Sequence, residues 1–179
     1  MVVPFSSSLA VTQTGEDALD FDGLFAAHYP ALTRVVYRVV GDTALAEEIA
    51  SEAFWRLHSK PPAFERNLAG WLYRTCLRLA LDHLKKRKRR AHYEGQAPPP
   101  GTVEAPDQAL LRAEGQARVR RVLAELKPER AALLVLRSEG YTLAEIAAML
   151  HLNANSVGTL LARADAAFRK EYVNRYGER

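Results

Sequence analysis

Apolar residues recur at steps of three and four from Phe21 onward: Phe21, Leu24, Phe25, His28 and Tyr29, then Leu32, Val35, Val36 and Val39. That period lines one face of a helix. Gly41-Asp42 interrupts it, and Asp42 or Thr43 can cap a second helix running to about residue 58, whose early Glu47 and Glu48 suit a helix start. Leu45, Ile49, Phe54 and Leu57 are its expected core contacts, and Pro61-Pro62 ends it. After a loop at 59–69, residues 71–90 read as a long helix with an apolar first half and a basic end. Residues 94–106, with Pro98, Pro99, Pro100 and Pro106, read as an extended linker. Helical period resumes over 110–126 and 129–138, with Pro128 placed to open the second of these helices. No strand-period segment of any length occurs, and residues 1–19 form a Ser/Thr-rich tail. The expected fold is all-α: small helical domains at 20–93 and 107–179, joined by a proline-rich linker.

Composition narrows the functional classes. The 179 residues suffice for one ordinary domain or two small ones. Net charge is only +4, yet Lys85, Lys86, Arg87, Lys88, Arg89 and Arg90 form one uninterrupted block, which favours a phosphate-bearing partner. A lone cysteine, Cys76, makes no internal disulfide and lies among helical leucines, which fits a buried position in a cytoplasmic protein. No basic residue precedes the apolar positions at the N-terminus, and no run of about eighteen apolar residues exists, so neither a secretory signal nor membrane insertion is expected. The five histidines lack zinc-ligand spacing, Cys76 has no evident base partner, and no glycine-rich phosphate loop is present. An enzyme, a metal site and a cofactor are therefore not expected.

The most specific local signal spans residues 141–168. Thr142-Leu143-Ala144-Glu145 has the form of a capping box. Ile146, Ala147 and Leu150 share a face of the short helix that follows. His151-Leu152-Asn153 is a turn, and Asn153 can cap a helix carrying Val157, Leu160, Leu161, Ala164 and Phe168. Helix, short turn and helix is the unit that sets its second helix into the DNA major groove. A plain helical hairpin in a core has the same pattern. On the DNA reading, Asn155 can pair with an adenine edge, Ser156 and Thr159 can bond bases or phosphates, and Arg163, Arg169 and Lys170 can reach phosphates. Arg163 is the only cation within 153–168, so this half alone should grip DNA weakly.

The first half interleaves aromatics and cations: Trp71, Tyr73, Arg74 and Arg78 precede the basic block. Aromatic faces stack on unpaired bases and cations hold phosphates, which suits DNA undergoing strand separation. Trp71 taken alone reads as a core residue ahead of a base-stacking one, because large aromatics dominate cores. Phe64, Glu65, Arg66 and Asn67 in the preceding loop can form a pocket for an extruded base or an ordinary surface loop; composition does not decide between them.

Taken together, residues 21–172 resemble the extracytoplasmic-function group of the sigma-70 family. Asp42-Thr43-Ala44-Leu45-Ala46-Glu47-Glu48-Ile49 with Glu52 and Phe54 resembles the family's polymerase-binding helix. Trp71-Leu72-Tyr73-Arg74 through Leu81-Asp82-His83-Leu84 resembles its promoter-melting helix, and 126–137 with 141–163 its domain for the upstream promoter element. The resemblance implies core RNA polymerase, through its β′ and β subunits, and promoter DNA as partners, with an anti-sigma protein as a further candidate. It implies polymerase docking by Asp42, Glu47, Glu48, Ser51, Glu52 and Trp55. It implies −10 element contacts by Phe64, Arg66, Asn67, Trp71, Tyr73, Arg74, Arg78, Lys85, Lys86, Arg87 and Lys88. It implies −35 element contacts by Thr142, Asn153, Asn155, Ser156, Thr159 and Arg163. Ser51 departs from a frequent Gln, Leu77-Arg78 from a common Arg-Asn pair, His151 from a usual Gly, and Gly158 and Leu160 from Lys and Arg. Two rival readings stand beside this one. A helix-turn-helix regulator would bind DNA without polymerase, and a sigma-like decoy would bind polymerase without opening promoters.

Overall fold

Asp20 opens the first helix by accepting a hydrogen bond from the Gly23 amide at 2.9 Å, and Gly41 closes it in a left-handed conformation (φ 72°). This helix, α1, spans Phe21–Val40. The computed structural model describes residues 20–63, 65–93 and 107–177; the expected tail at 1–19, the expected linker at 94–106 and Phe64 lie outside them. Six further helices follow: α2 (Thr43–Ser59), α3 (Leu68–Tyr93), α4 (Asp107–Leu123), α5 (Pro128–Ser138), α6 (Leu143–Leu150) and α7 (Ala154–Tyr176). Every regular element among the described residues is a helix, as the sequence pattern requires.

Boundaries moved where a cap was overlooked. Of the two expected caps for α2, Asp42 takes the role, with Oδ1 accepting from the Leu45 amide at 3.0 Å. α3 starts at Leu68 rather than 71, because Asn67 Oδ1 accepts from the Gly70 amide at 2.8 Å and its carbonyl accepts from the Trp71 amide. α4 covers 107–123 instead of 110–126, and α7 runs on to Tyr176, well past Phe168.

α1, α2 and α3 share one core. Leu32, Val36 and Val39 meet Leu57, Leu72 and Leu81, all essentially inaccessible to solvent. Each such side chain contributes about 1.5–3 kcal/mol by leaving water. Phe54 is buried beneath the rings of Phe21, Phe25 and Tyr29, at 4.9–6.1 Å between centroids. Leu45, an expected core residue, is only half-buried at its edge. Cys76 is fully buried, and desolvation pushes its thiol up to about 12, which suits a packing residue. In the second half, Leu136, Ile146, Met149, Val157 and Ala164 are buried where α5, α6 and α7 meet.

The two groups of helices also pack on each other. The hydroxyls of Tyr73 (α3) and Tyr141 (between α5 and α6) are 2.7 Å apart and buried. Glu139 lies between Arg38 of α1, at 2.6 Å, and Arg34, at 3.2 Å. Arg120 of α4 lies against Gly41, where a Cβ would come within 2.5 Å of its guanidinium carbon. Gly41 is thus required by its positive φ and by this close approach.

His28 sits half-buried with its ring edge-on to Tyr73 at 6.2 Å, and desolvation lowers its pKa below 6.5. Below 6.5 the unfolded chain therefore binds more protons than the folded one, so this contribution is intact above 6.5 and is lost as pH falls. Unfolding midpoints should drop as pH is lowered from 6.5, and His28→Gln should remove that part of the slope. An unchanged slope would assign the effect to other groups.

Candidate nucleic-acid interface

The helix-turn-helix forms from local chemistry. The Thr142 hydroxyl accepts from the Glu145 amide at 3.3 Å while the Glu145 carboxylate accepts from the Thr142 amide at 2.7 Å, completing the expected capping box. His151 adopts the left-handed conformation (φ 54°) that ends α6. Asn153 caps α7 by accepting from the Asn155 amide at 2.9 Å, and Ser156 Oγ donates to the Asn153 carbonyl at 2.8 Å. Thr142, Asn153 and Ser156 thus hold the motif in shape. Asn155, Thr159 and Arg163, spaced by four, are exposed along one ridge of α7, where they line a shallow depression of about 420 Å³ with Leu160. Leu160 is partly buried against the core. Arg169 pairs with Asp165 at 3.1 Å.

Gly158 faces solvent on the same helix, and a Cβ there would meet only Leu143 Cδ1, at 4.0 Å. Nothing in the packing calls for glycine. Gly158→Lys should therefore stabilise α7 by up to about 1 kcal/mol. If α7 reads promoter DNA, the same change should steepen the salt dependence of binding by about one phosphate contact. Salt titrations of both proteins check this; parallel slopes would remove Gly158 from the DNA face.

The residues expected at the −10 element divide into exposed and engaged. Arg66, Arg78, Lys86, Arg87 and Lys88 are exposed, and Lys85 is half-buried. Lys88 is bonded to Glu125, which also holds Arg175 at 2.8 Å. Trp71 is partly buried against the core, as its first reading had it. Tyr73 is 1% exposed, with burial raising its pKa, so its ring offers no face to a base in this arrangement. Arg74 is paired with Glu65 and donates to the Met149 carbonyl at 2.6 Å. Asn67, besides capping α3, donates from Nδ2 to the Ala148 carbonyl at 3.0 Å.

On α2, Glu47, Glu48, Ser51 and Trp55 are exposed, and Trp55 at 62% is among the most exposed large apolar side chains described. Glu52 is paired with Arg56 at 2.7 Å, and Ser51 Oγ lies 3.3 Å from the Tyr29 hydroxyl. Asp42 is committed to its cap. Arg34, Arg38, Glu139 and Tyr141 are engaged residues that sequence reasoning missed. Only the four-residue spacing of the two arginines was visible, and it names no partner. Among the described residues no cluster of three or more metal-ligating side chains occurs, and no helix is long and apolar enough to cross a membrane.

Two family models match the chain: sigma-70 region 2 over residues 24–90, which holds most of α1, all of α2 and α3 through the basic block, and sigma-70 region 4 over 116–165, which holds the helix-turn-helix as far as the exposed ridge of α7. The chain belongs to the sigma-70 family. Relatives place it in the extracytoplasmic-function (ECF) group. RNA polymerase sigma-H factor of Pseudomonas aeruginosa is 28% identical, the match covering 86% of each chain. ECF RNA polymerase sigma factor SigW of Bacillus subtilis is 27% identical over 77% of this chain and 81% of the relative. ECF RNA polymerase sigma factor SigM of Mycobacterium tuberculosis is 28% identical over 89% and 81%. The fold is also that of the sigma factor RpoE from Bartonella quintana, solved in complex with the anti-sigma factor NepR; the TM-score is 0.51 at 18% identity, covering 86% of this chain and 97% of that one.

Proposed function

We propose that this chain binds core RNA polymerase, directs it to promoters, and takes part in −10 recognition and melting through α3 and in −35 recognition through α7. What carries the reading is the conjunction of two surfaces on one sigma-70 chain: an acidic, Trp-bearing face on α2 and an exposed Asn155–Thr159–Arg163 ridge on α7. Glu47 and Glu48 supply charge that steers docking to a basic partner surface on β′, and Trp55 supplies an anchor. Arg78 and the basic block hold phosphates next to the melted strands. The loop before α3 receives an extruded base, with stacking and hydrogen bonds offsetting the cost of unpairing it. Selectivity comes from linking two promoter contacts through one body, since the second contact is then intramolecular. No bond is made or broken by this subunit, which works in the cytoplasm without a cofactor. An anti-sigma partner belongs to the same proposal, because the RpoE structure of like fold contains one.

The test is transcription from a genomic promoter library by core polymerase with and without the purified chain. Start sites that need the chain and share upstream motifs support the reading. Polymerase binding without new transcripts would replace it with a decoy, which the uncharged Gly158 and Leu160 positions keep in play. DNA binding without polymerase would point to a stand-alone regulator.

A further inference from the structure

We propose that a cavity walled by α1, α4, α5 and α7 binds a small amphipathic acid, an apolar chain ending in one anionic head. The inference goes beyond the functional reading above and rests on the cavity alone. Its volume is about 530 Å³, within the range of sites that hold small molecules. α4 supplies two stripes of its lining. Gly115, Val119 and Leu123, at steps of four, form an apolar stripe, and Arg112, Gln116 and Arg120, also at steps of four, a polar one. Leu134 of α5 and Phe168 of α7 continue the apolar lining.

Two features of these walls have no explanation in the packing. Arg120 is the first. Its Nε is buried and has no hydrogen-bond partner among the described residues. A buried donor left unmade costs stability, more so on a charged group. Burial, and then the cation of Arg87, lower its pKa, so the guanidinium is short of counter-charge. Other polar lining groups are already engaged. Arg38 holds Glu139 at 2.6 Å, Asp165 holds Arg169 at 3.1 Å, and Ser138 Oγ donates to the Val135 carbonyl at 2.7 Å. Among the described residues neither Arg112 nor Arg120 enters an ion pair, so an anion at their end of the cavity would displace none. Gly115 is the second feature. Glycine weakens a helix interior, and this one lies in the middle of α4. A Cβ on it would meet nothing within 4 Å, so no neighbour demands a close approach there. The space in front of it belongs to the cavity. An apolar chain lying in that space would need position 115 to carry no side chain.

The lining sets the ligand's chemistry. Three arginines, Arg38, Arg112 and Arg120, against one aspartate, Asp165, select an anion. The apolar stripe beside them selects a hydrocarbon body over a sugar, whose hydroxyls would be left unpaired.

Decanoate is the probe. Calorimetric titration of the full chain should give a Kd of about 100 µM, as expected for a ligand of about a dozen non-hydrogen atoms. Decanol, with the same chain and no charge, should bind about tenfold more weakly, and decyltrimethylammonium should not compete. R112Q with R120Q should lower the decanoate affinity to that of decanol while leaving decanol binding unchanged, a split that damage to the fold would not produce. Gly115→Leu should abolish binding of both ligands. Its unfolding temperature should be no lower than that of the unmodified chain, because leucine is the better helix former and enters open space. Anionic phospholipid vesicles separate a free acid from a membrane acyl chain. Sedimentation with them that Gly115→Leu abolishes, in place of decanoate binding, would overturn the assignment to a free acid. No decanoate binding up to about 1 mM, equal affinities for decanoate and decanol, or binding that survives Gly115→Leu would overturn the site. These titrations contain neither polymerase nor DNA, so their failure leaves the functional reading standing.

Discussion

Replacing Trp55 with alanine is expected to weaken binding to core polymerase about thirtyfold, the effect of losing an aromatic anchor worth some 2 kcal/mol at the centre of an interface. Trp55 is 62% exposed and shares its face of α2 with Glu48 and Ser51, at steps of three and four residues. An indole held in water gains a large apolar burial when a partner covers it. Removing it should not lower the unfolding temperature, because it does not belong to the buried core. Titration of the labelled chain with core polymerase, alongside thermal unfolding, measures both. Equal affinities for the two proteins would move polymerase docking away from this face of α2.

The neighbouring substitution should behave in the opposite way. Phe54→Ala is expected to cost about 3–5 kcal/mol of stability. Phe54 is 2% exposed, and its ring meets Phe21, Phe25 and Tyr29, so truncation leaves a void that three separate side chains line. Small domains hold only about 5–15 kcal/mol in total, so the variant should be largely unfolded near physiological temperature. Any loss of polymerase binding should then track the loss of helix content. Retained stability with lost binding would mean that Phe54 is part of the docking surface itself. The pair is informative because adjacent positions on one helix point to opposite environments.

The helical class, the capping box at Thr142, the Pro128 start, the Asn153 cap and the turn at His151 were all legible, because each depends on residues a few positions apart. The start of α3 was misplaced because Asn67 was read as a loop residue for a ligand, when its side chain caps the helix. The extension of α7 past Phe168 had a visible signal that went unused: Tyr172 and Tyr176 continue the four-residue step, and their rings pack in series. The site was harder. Periodicity places Tyr73 on an inward face, and it does not say that the face is shared with a residue 68 positions away. Arg34 and Arg38 look like solvated cations until Glu139, more than 100 residues later, is seen between them. Such pairings depend on how the halves meet, which no local pattern encodes.

Because both sides of the Tyr73–Tyr141 and Arg38–Glu139 contacts belong to the same chain, their pairing is a first-order event that does not depend on how many copies of the chain are present. The two halves therefore meet in the same way in a cell that makes few copies of the chain and in one that makes many.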